Sequence, residues 1–539
     1  MAAGPGRSAY PVAVSATELP PADDAAVETA LHLLCDSALE PIVELVLLAR
    51  DGGYEAHAHD GSVRFERSVG DGGDHEWVFT ETEIRGRNPL GDRAIDRFAP
   101  LAEELANLQP DRTQNAYPFA HEQVAQLFDH PAAPDLCVVH TAAHHWASMG
   151  GHLGEHGSLA SVQCRAPFLV SGCGAARRGW VDVPAQLVDV APTVLALLGL
   201  EPTGGVGLDG RPREDAFLAH QDGDVLVDLL DPTERPEIVV GFLLDGCNPN
   251  VLFDVVAAGE APNIAALLAE GTALQHGIVS SLPTVTLPNH TTILTGRHPG
   301  HHGILHNAWW DRGRQERVTT NSPATWATAM DALASGTDSI HSALRRAEPD
   351  AFTASVNEPA DPGAVFSTFD LMRRGVRVPF PRSAEGLPHA TEMFVRPVKD
   401  YATYTLVDHH GVEQAVGIIE GRYLDTDYPL PRFLWVNLTL TDSAFHEGGP
   451  HSEIARASIR DSDGRIGEIV AALDRRGVLE RTAFFLCADH GMEESLPGVD
   501  GDWTPVLRDA GLDVRDEAFG FLYLDPGRGA TGTASTSTS

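Results

Sequence analysis

Residues 238–246 read Ile-Val-Val-Gly-Phe-Leu-Leu-Asp-Gly, and this stretch decides the fold. Its unbroken apolar run is typical of a strand in a parallel sheet that helices cover on both faces. Asp245 follows the run directly, at the carboxyl end of the strand, where open α/β sheets bind their ligands. An Asp-Gly pair after a strand is also a common turn, so Asp245 alone does not establish a binding site.

Two other apolar runs end in the same way. Phe433–Leu438 leads to Asp442, and Thr482–Ala488 leads to Asp489 and His490. Such runs alternate along the chain with segments of helical periodicity, which predicts an α/β fold with a mostly parallel central sheet and helices on both faces. The other predicted elements are strands at 42–48, 136–140 and 166–170 and helices at 184–198, 262–270 and 288–295.

A hydroxyl group lies at the start of one predicted helix. Residues 283–290 read Pro-Thr-Val-Thr-Leu-Pro-Asn-His, and the helix behind them ends at Gly296. Positive partial charge at a helix N-terminus favours an alkoxide or a phosphate, so Thr286 is a candidate nucleophile. A threonine at this position can equally serve only as a helix cap.

The carboxylates and imidazoles near the strand ends predict a metal site. Asp442 and His446 lie one helical turn apart, a spacing that suits a metal but is also common on surface helices. Asp489 and His490 follow a buried strand, where polar groups without partners are costly. Such mixed ligands suit Zn²⁺ or Mn²⁺, and two ions about 4 Å apart can clamp both oxygens of an in-line displacement.

These motifs together resemble the nucleotide pyrophosphatase/phosphodiesterase branch of the alkaline phosphatase superfamily. The resemblance covers most of residues 237–495, and its order and spacing are specific. It is carried by Asp245-Gly246, the 283–290 segment, Thr-Gly-Arg-His-Pro at 295–299, His-Gly-Ile at 302–304, Asn307, Asp442-x-x-x-His446 and Asp-His-Gly-Met at 489–492.

The resemblance implies an alkaline phosphatase-like fold and a role for each matching residue. Thr286 is then the nucleophile, and Asn307 helps to hold a phosphate oxygen. Asp442 and His446 bind one divalent ion. The ligands of the second ion are Asp245, Asp489, His490 and the Thr286 hydroxyl. Zinc is the expected metal, and manganese is the alternative.

One ligand is missing from its usual place. Family members supply another metal-binding histidine downstream of the Asp-His-Gly-Met motif, but no histidine follows Met492 here. The upstream segment Gly-Glu-His-Gly-Ser at 154–158 resembles the missing part, with His156 as the ligand that completes the Asp442/His446 site. We therefore predict a circular permutation. The alternatives are a turn histidine at His156 and a separate N-terminal domain.

The permutation predicts the organisation of the whole chain. Residues 30–230 form the C-terminal part of the catalytic domain and residues 236–526 its N-terminal part, with a plausible linker at 221–236. Residues 308–430 are less regular and predict a small inserted cap. Composition predicts a flexible leader at 1–29 and a disordered tail at 527–539.

Composition limits the possible partners. The chain has 539 residues and a formal net charge of −38, which argues against binding a nucleic acid polymer or an anionic membrane. Its six cysteines are scattered without metal or disulfide spacing, so we expect a reducing, cytoplasmic location. The first 21 residues lack the apolar core of a secretory signal, and no apolar run is long enough to span a membrane.

The predicted reaction is hydrolysis of a phosphodiester or phosphoanhydride through a phosphothreonine intermediate. The substrate is then a small phosphorylated molecule, and nucleotides are the leading class. Two alternatives remain: a phosphomonoesterase or phosphonate hydrolase of the same superfamily, and a metal-free scaffold protein. Trp309 and Trp310 fit either base stacking or core packing. Other histidines match no ligand position of the family; these are His144, His145, His301, His302 and His451.

Overall fold

The computed structural model describes residues 23–70, 75–91, 101–110, 114–146, 151–376, 399–518 and 520–525. The predicted tail at 527–539 and residues 1–22 of the predicted leader lie outside these ranges. Residues 24–29 begin a helix, Asp24–Leu34, whose N-terminus is capped by the Asp23 side chain. The prediction of a flexible leader is therefore wrong for these six residues, because their apolar side chains pack against the sheet behind them.

A central eight-stranded sheet carries the three strands that were predicted to end in carboxylates. Five consecutive strands of this sheet are parallel, and the other three make it mixed. In spatial order the strands are Phe366–Ser367, Thr353–Val356, Phe433–Leu438, Ile238–Leu244, Thr482–Cys487, Phe168–Gly172, Gly271–Leu274 and Gly179–Val181.

Helices cover this sheet on both faces. Every residue of the strands Ile238–Leu244, Phe433–Leu438 and Thr482–Cys487 is buried, as the unbroken apolar runs predicted. The α-helices of the described residues are Asp24–Leu34, Leu101–Ala106, Ala120–Leu127, Ser161–Cys164, Val190–Leu197, Pro249–Ala257, Pro262–Ala269, Thr286–Thr295, Pro299–His302, Ile340–Ala347, Thr368–Arg373, Lys399–Glu420, Leu440–Gly448, Glu453–Arg475 and Thr504–Asp509.

A second sheet, entirely antiparallel, was not predicted. Its outer strands are partly exposed, so their apolar residues do not form the long runs that identified the central sheet. The strands in spatial order are Val514–Glu517, Phe521–Leu524, Leu136–His140, Val43–Arg50, Gly53–Ala58, Gly61–Val69 and Trp77–Gly86. Both sheets therefore combine strands from the two ends of the chain.

The predicted cap at 308–430 is wrong for most of its length. The strands Thr353–Val356 and Phe366–Ser367 belong to the central sheet, and helix Lys399–Glu420 packs on its strand Phe433–Leu438. These strands are short and the region is rich in Pro and Gly, so the sequence did not indicate that they belong to the central sheet. Among the described residues of this region, the hairpin at 308–319 and the pair Arg422–Tyr423 and Thr426–Asp427 form small sheets of their own, and the 3-10 helix Trp326–Ala332 begins beside the candidate site.

The segment 221–236 is not a loose linker. Asp222 is buried, accepts a hydrogen bond from the His298 N–H at 2.8 Å and lies 2.6 Å from the His301 ring nitrogen. The other ring nitrogen of His301 lies 2.9 Å from Asp129, which pairs with Arg67. These contacts fix the segment against the N-terminal region and place His301 away from the predicted metal ligands.

Within the described residues, no single helix has the length and apolar character needed to cross a membrane. The helices Pro249–Ala257 and Pro262–Ala269 meet the criterion only as a pair, and they are bent by 95° relative to each other.

Candidate metal centre

Three carboxylates meet at one edge of the central sheet. Asp245, Asp442 and Asp489 follow neighbouring parallel strands, whose carboxyl ends lie side by side. Gly246 makes the close approach possible: its φ is +64°, and a Cβ atom there would lie 2.6 Å from Asp442 Oδ1. The Gly246 N–H also donates a hydrogen bond to Asp489 Oδ1 at 3.0 Å.

His156, Asp442 and His446 form one group of possible ligands, which we call the outer group. His156 Nε2 lies 3.2 Å from His446 Nε2 and 3.8 Å from Asp442 Oδ1, and His446 Nε2 lies 3.4 Å from the same oxygen. His156 Nδ1 faces the backbone carbonyl of Thr284, and His446 Nδ1 faces the backbone carbonyl of Gly154. The structure thus brings together two histidines that are 290 residues apart in sequence.

Asp245, Asp489 and His490 lie deeper, and we call them the inner group. His490 Nε2 lies 3.2 Å from Asp489 Oδ2, and Asp245, Asp442 and His490 can share one ion. The His490 ring stacks on the His156 ring, with centroids 3.7 Å apart and planes 16° apart. The two groups are therefore immediate neighbours, as a pair of ions clamping one phosphoryl group requires.

Unpaired polar atoms at this place fit bound cations. Among the described residues, several buried side-chain atoms make no hydrogen bond, and five of them converge here: Asp245 Oδ1, Asp442 Oδ1, Asp489 Oδ2, His290 Nε2 and His490 Nε2. The two imidazole nitrogens lie within 3.3 Å of Asp489 Oδ2 without forming a hydrogen bond, and burying polar atoms that make no hydrogen bond is costly. Oxygen and imidazole nitrogen donors without a thiolate match Zn²⁺ and Mn²⁺, so the residues present fit the ions that the motifs imply.

The carboxylates repel one another in the absence of cations. Burial, with Asp489 and Asp442 close by, raises the pKa of Asp245 well above its ordinary value. Burial also opposes ionisation of Asp489, but His490, His290 and the Gly246 N–H outweigh it and lower the pKa of that carboxyl. Bound positive charge is the usual remedy for such a cluster.

The imidazoles fall into two kinds. Burial, reinforced by His490 and His446, holds the pKa of His156 well below its ordinary value, so His156 is a neutral, ligand-competent imidazole. Burial acts the same way on His290, but Glu358 and Asp489 outweigh it and raise the pKa of His290 well above the ordinary value.

Thr286 is the first residue of helix Thr286–Thr295. All other residues of this helix are buried, whereas Thr286 is partly exposed and lines a pocket together with Asp245 and Asp442. Asn307 lies beside it, because its Oδ1 accepts a hydrogen bond from the Leu287 N–H at 3.2 Å. That contact leaves the Nδ2 group of Asn307 as the donor available to a phosphate oxygen.

Two pockets open next to Thr286 and the ligand groups. The first has a volume of about 110 Å³, contains Thr286 and is lined by the aromatic rings of Trp326, Phe369 and Tyr404. The second, of about 250 Å³, is lined by Asn307, His156 and His446 and by other residues from both ends of the chain. No arginine or lysine is among the described residues that line either pocket.

Trp309 and Trp310 are not part of the first pocket. Both are buried in a hydrophobic cluster under the second sheet, with exposures of 3% and 9%. The Arg515 guanidinium lies over the Trp310 ring at 3.6 Å. Core packing therefore accounts for this pair, whereas Trp326 lines the first pocket and Trp146 the second.

Sequence reasoning missed two buried residues: His290, which contacts the inner group, and Glu358, which contacts His290. His290 Nε2 lies 3.3 Å from Asp489 Oδ2 and 3.6 Å from Asp245 Oδ2, and its Nδ1 lies 3.0 Å from Glu358. His290 is one helical turn after Thr286, a spacing that could have placed both on one face. Glu358 follows a short strand, and nothing in the sequence indicates that it contacts His290.

Comparisons with known proteins identify the family of the chain. The sequence profile of the Type I phosphodiesterase / nucleotide pyrophosphatase family matches residues 239–536, which is more than half of the chain. The chain belongs to this family, whose members are metal-dependent hydrolases of the alkaline phosphatase superfamily.

Two sequence relatives illustrate the match. An uncharacterised pyrophosphatase/phosphodiesterase of Schizosaccharomyces pombe is 26% identical over 260 residues, which are 47% of this chain and 44% of that protein. The alkaline phosphatase PafA of Elizabethkingia meningoseptica is 32% identical over 91 residues, 17% of each chain. The match spans less than half the length of either relative.

Two solved structures show weaker similarity. Murine ectonucleotide pyrophosphatase/phosphodiesterase 5, solved as an inactive variant with AMP, is 16% identical with a TM-score of 0.34, and the match covers 48% of this chain and 57% of that one. Phosphonoacetate hydrolase from Sinorhizobium meliloti, solved with phosphonoformate, is 21% identical with a TM-score of 0.31, covering 54% and 60%.

Proposed function

We propose that the protein hydrolyses small phosphodiesters or phosphoanhydrides, nucleotides among them, through a phosphothreonine on Thr286. The observation that carries this proposal is the partly exposed Thr286 at a helix N-terminus, in one pocket with Asp245 and Asp442. Family membership supports the reaction class. The substrate and the details of the mechanism are our inference.

The proposed ligands form two sets. The inner group, with the Thr286 hydroxyl, would hold one divalent ion, and the outer group, with His156, would hold the other. We propose zinc, since imidazole and carboxylate donors without thiolates suit it, with manganese as the alternative. When bound, the ions would lower the pKa of the attacking hydroxyl and water and offset negative charge on the phosphoryl group.

The chain's own residues would carry the two steps. In the first, Thr286 Oγ1 forms a bond to phosphorus while the bond to the leaving oxygen breaks, and the hydroxyl proton passes to solvent through the open pocket. Asn307 Nδ2 and the N–H of Thr286, at the first position of the helix, donate to phosphate oxygens. In the second, water oxygen bonds to phosphorus, the Thr286 ester bond breaks, and Oγ1 regains a proton.

The pockets favour a diester over a monoester. A monoester has one more negative charge than a diester, and no described residue that lines these pockets is an arginine or lysine able to offset it. The aromatic rings of Trp326, Phe369 and Tyr404 offer a flat apolar surface to the group attached to the phosphate. A nucleoside fits this chemistry.

The proposed reaction also draws on the N-terminal region. Strands Phe168–Gly172 and Gly179–Val181 lie in the central sheet, and His156 lies in the outer group, which supports a permuted order of one catalytic domain. We therefore propose that residues 30–230 and 236–526 act as a single catalytic unit.

A direct test compares p-nitrophenyl thymidine monophosphate with p-nitrophenyl phosphate, using the zinc-loaded full-length chain. We expect the diester to be hydrolysed with a kcat/KM at least about tenfold higher, because its single charge suits the pockets. Preference for p-nitrophenyl phosphate would favour the phosphomonoesterase alternative. Hydrolysis of neither substrate, with less than one equivalent of metal bound after metal-replete purification, would favour a scaffold protein.

A further inference from the structure

Thr284 lies two residues before the proposed nucleophile and is completely buried. Its hydroxyl uses both of its hydrogen-bonding capacities on the segment that carries His156. Thr284 Oγ1 accepts a hydrogen bond from the Gly157 N–H at 3.0 Å and donates one to the Ser158 carbonyl at 2.8 Å. Among side chains of this size, only serine and threonine can do both.

The backbone of the same residue acts on His156 itself. His156 Nδ1 lies 2.9 Å from the Thr284 carbonyl oxygen. A carbonyl only accepts, so the proton of the neutral ring must be on Nδ1 and the lone pair on Nε2. Nε2 is the atom that faces His446 and Asp442. Partners of this kind fix the tautomer and the orientation of metal-binding histidines.

The segment after His156 needs such a restraint. Gly157 has a φ of +121°, a backbone conformation that L side chains rarely adopt. The short strand Gly154–Glu155 ends directly before His156, and residues 156–158 join no strand. The His156 carbonyl lies 3.2 Å from His140 Nε2, and the Ser158 N–H donates to Gln163. Of the contacts with Thr284, the one at Nδ1 acts on the His156 ring itself, and the two made by the hydroxyl hold the backbone that follows it.

We propose that Thr284 is a positioning residue, which fixes the place and tautomer of His156 and so links the nucleophile loop to the N-terminal region. This inference rests on the proposed function, because it assigns His156 to a metal site. Thr284 touches neither the substrate nor a reacting atom. It acts through His156, and its loss weakens one of the two ion sites.

The test measures Zn²⁺ binding by the full-length chain, stripped with a chelator and titrated against a competing fluorescent chelator. Thr284→Val keeps the shape of the side chain and removes both hydrogen bonds. We expect one of the two Zn²⁺ affinities to fall about tenfold and the other to remain; the loss is at the lower end of the range for lost partners of metal-binding histidines because the backbone carbonyl at His156 Nδ1 is kept. Thr284→Ser restores the hydroxyl and should bind both ions within a few-fold of the wild type.

Thr295→Val is the matched control. Thr295 is also completely buried, and its hydroxyl donates to the Thr291 carbonyl at the far end of the same helix. This variant loses a buried hydroxyl without touching His156, so both affinities should be unchanged even if its melting temperature falls. If Thr284→Val does not fold, Thr284→Cys takes its place, because a thiol forms only weak hydrogen bonds. One of its two Zn²⁺ affinities should then be lower than in Thr284→Ser and Thr295→Val.

The outcomes distinguish failure of the positioning role of Thr284 from failure of the proposed two-ion centre. If the wild type binds two ions and Thr284→Val binds them as tightly as Thr295→Val does, Thr284 has no positioning role and the proposed function is untouched. If the wild type itself binds fewer than two ions, the proposed two-ion centre fails, whatever the variants do.

Discussion

The inner and outer groups differ in burial and in the origin of their residues. Asp489 and His490 of the inner group are completely buried, and all inner ligands come from the segment 238–490. In the outer group His156, Asp442 and His446 are partly exposed beside an open pocket, and His156 comes from the N-terminal region. An ion held by the inner group would therefore lie among buried charges, whereas an ion held by the outer group would lie beside the open pocket.

Removing the nucleophile should have the largest effect, because both groups serve it. Thr286→Ala should lower kcat by at least about 10³-fold, in line with losses of nucleophiles in other hydrolases, while two Zn²⁺ ions remain bound. Single-turnover assays and metal analysis on one preparation measure both quantities. Thr286→Ser, which keeps a hydroxyl, is the control and should retain part of the activity. Activity of Thr286→Ala near that of the wild type would refute the phosphothreonine.

Damage to the inner group should cost stability as well as activity. Asp489→Ala removes a buried carboxylate that accepts from Gly246 and lies beside His290 and His490. We expect the zinc-loaded variant to lose about 3 kcal/mol of unfolding free energy, as when one partner of a buried charge pair is removed. Urea denaturation followed by tryptophan fluorescence measures this loss.

The matched change in the outer group is Asp442→Ala, since Asp442 is partly exposed. It should lower activity with a much smaller loss of unfolding free energy. Equal losses of unfolding free energy for Asp489→Ala and Asp442→Ala would contradict the distinction between a buried inner group and an open outer group.

His156→Ala should affect the outer group alone. We expect the affinity for one ion to fall at least about tenfold and the other to stay unchanged, because the stacked His490 belongs to the inner group. Isothermal titration with Zn²⁺ resolves the two events. His152→Ala is the comparison, since the His152 ring lies 4.5 Å from the His446 ring without belonging to the outer group. A larger effect from His152→Ala would mean that the outer ligand is misassigned.

The smallest effect is expected in the aromatic pocket beside Thr286. Trp326→Ala should raise KM for p-nitrophenyl thymidine monophosphate about tenfold with little change in kcat, because an aromatic contact contributes about 1 kcal/mol beyond the apolar area it buries. Steady-state kinetics measure it. Trp180→Ala removes an exposed tryptophan from the edge strand of the central sheet and should leave KM unchanged. Equal KM values for both variants would place the substrate elsewhere.

The sequence predicted the inner group better than its surroundings. Unbroken apolar runs placed Asp245 and Asp489 at the ends of parallel strands, and the structure puts both at one edge. The proximity of His156 to Asp442 could not be derived from periodicity, because a long-range contact leaves no local pattern. It was expected only from a family resemblance and a missing histidine.

Other misses also have physical causes. The second sheet was not predicted because its outer strands expose many of their side chains, which shortens the apolar runs. The strand Thr353–Val356 was assigned to a cap because four residues between loops carry little periodicity. Asp222 was assigned to a linker and His301 to no site, although Asp222 is buried and the two side chains pair with each other.

The most direct test of the central claim is X-ray diffraction from crystals of the zinc-loaded protein, with anomalous data collected on both sides of the zinc absorption edge. We predict two zinc peaks about 4 Å apart, one of them roughly 2.0–2.1 Å from His156 Nε2 and near Asp442 and His446. A single peak, or two peaks with His156 bound to neither, would contradict a site built from both regions of the chain.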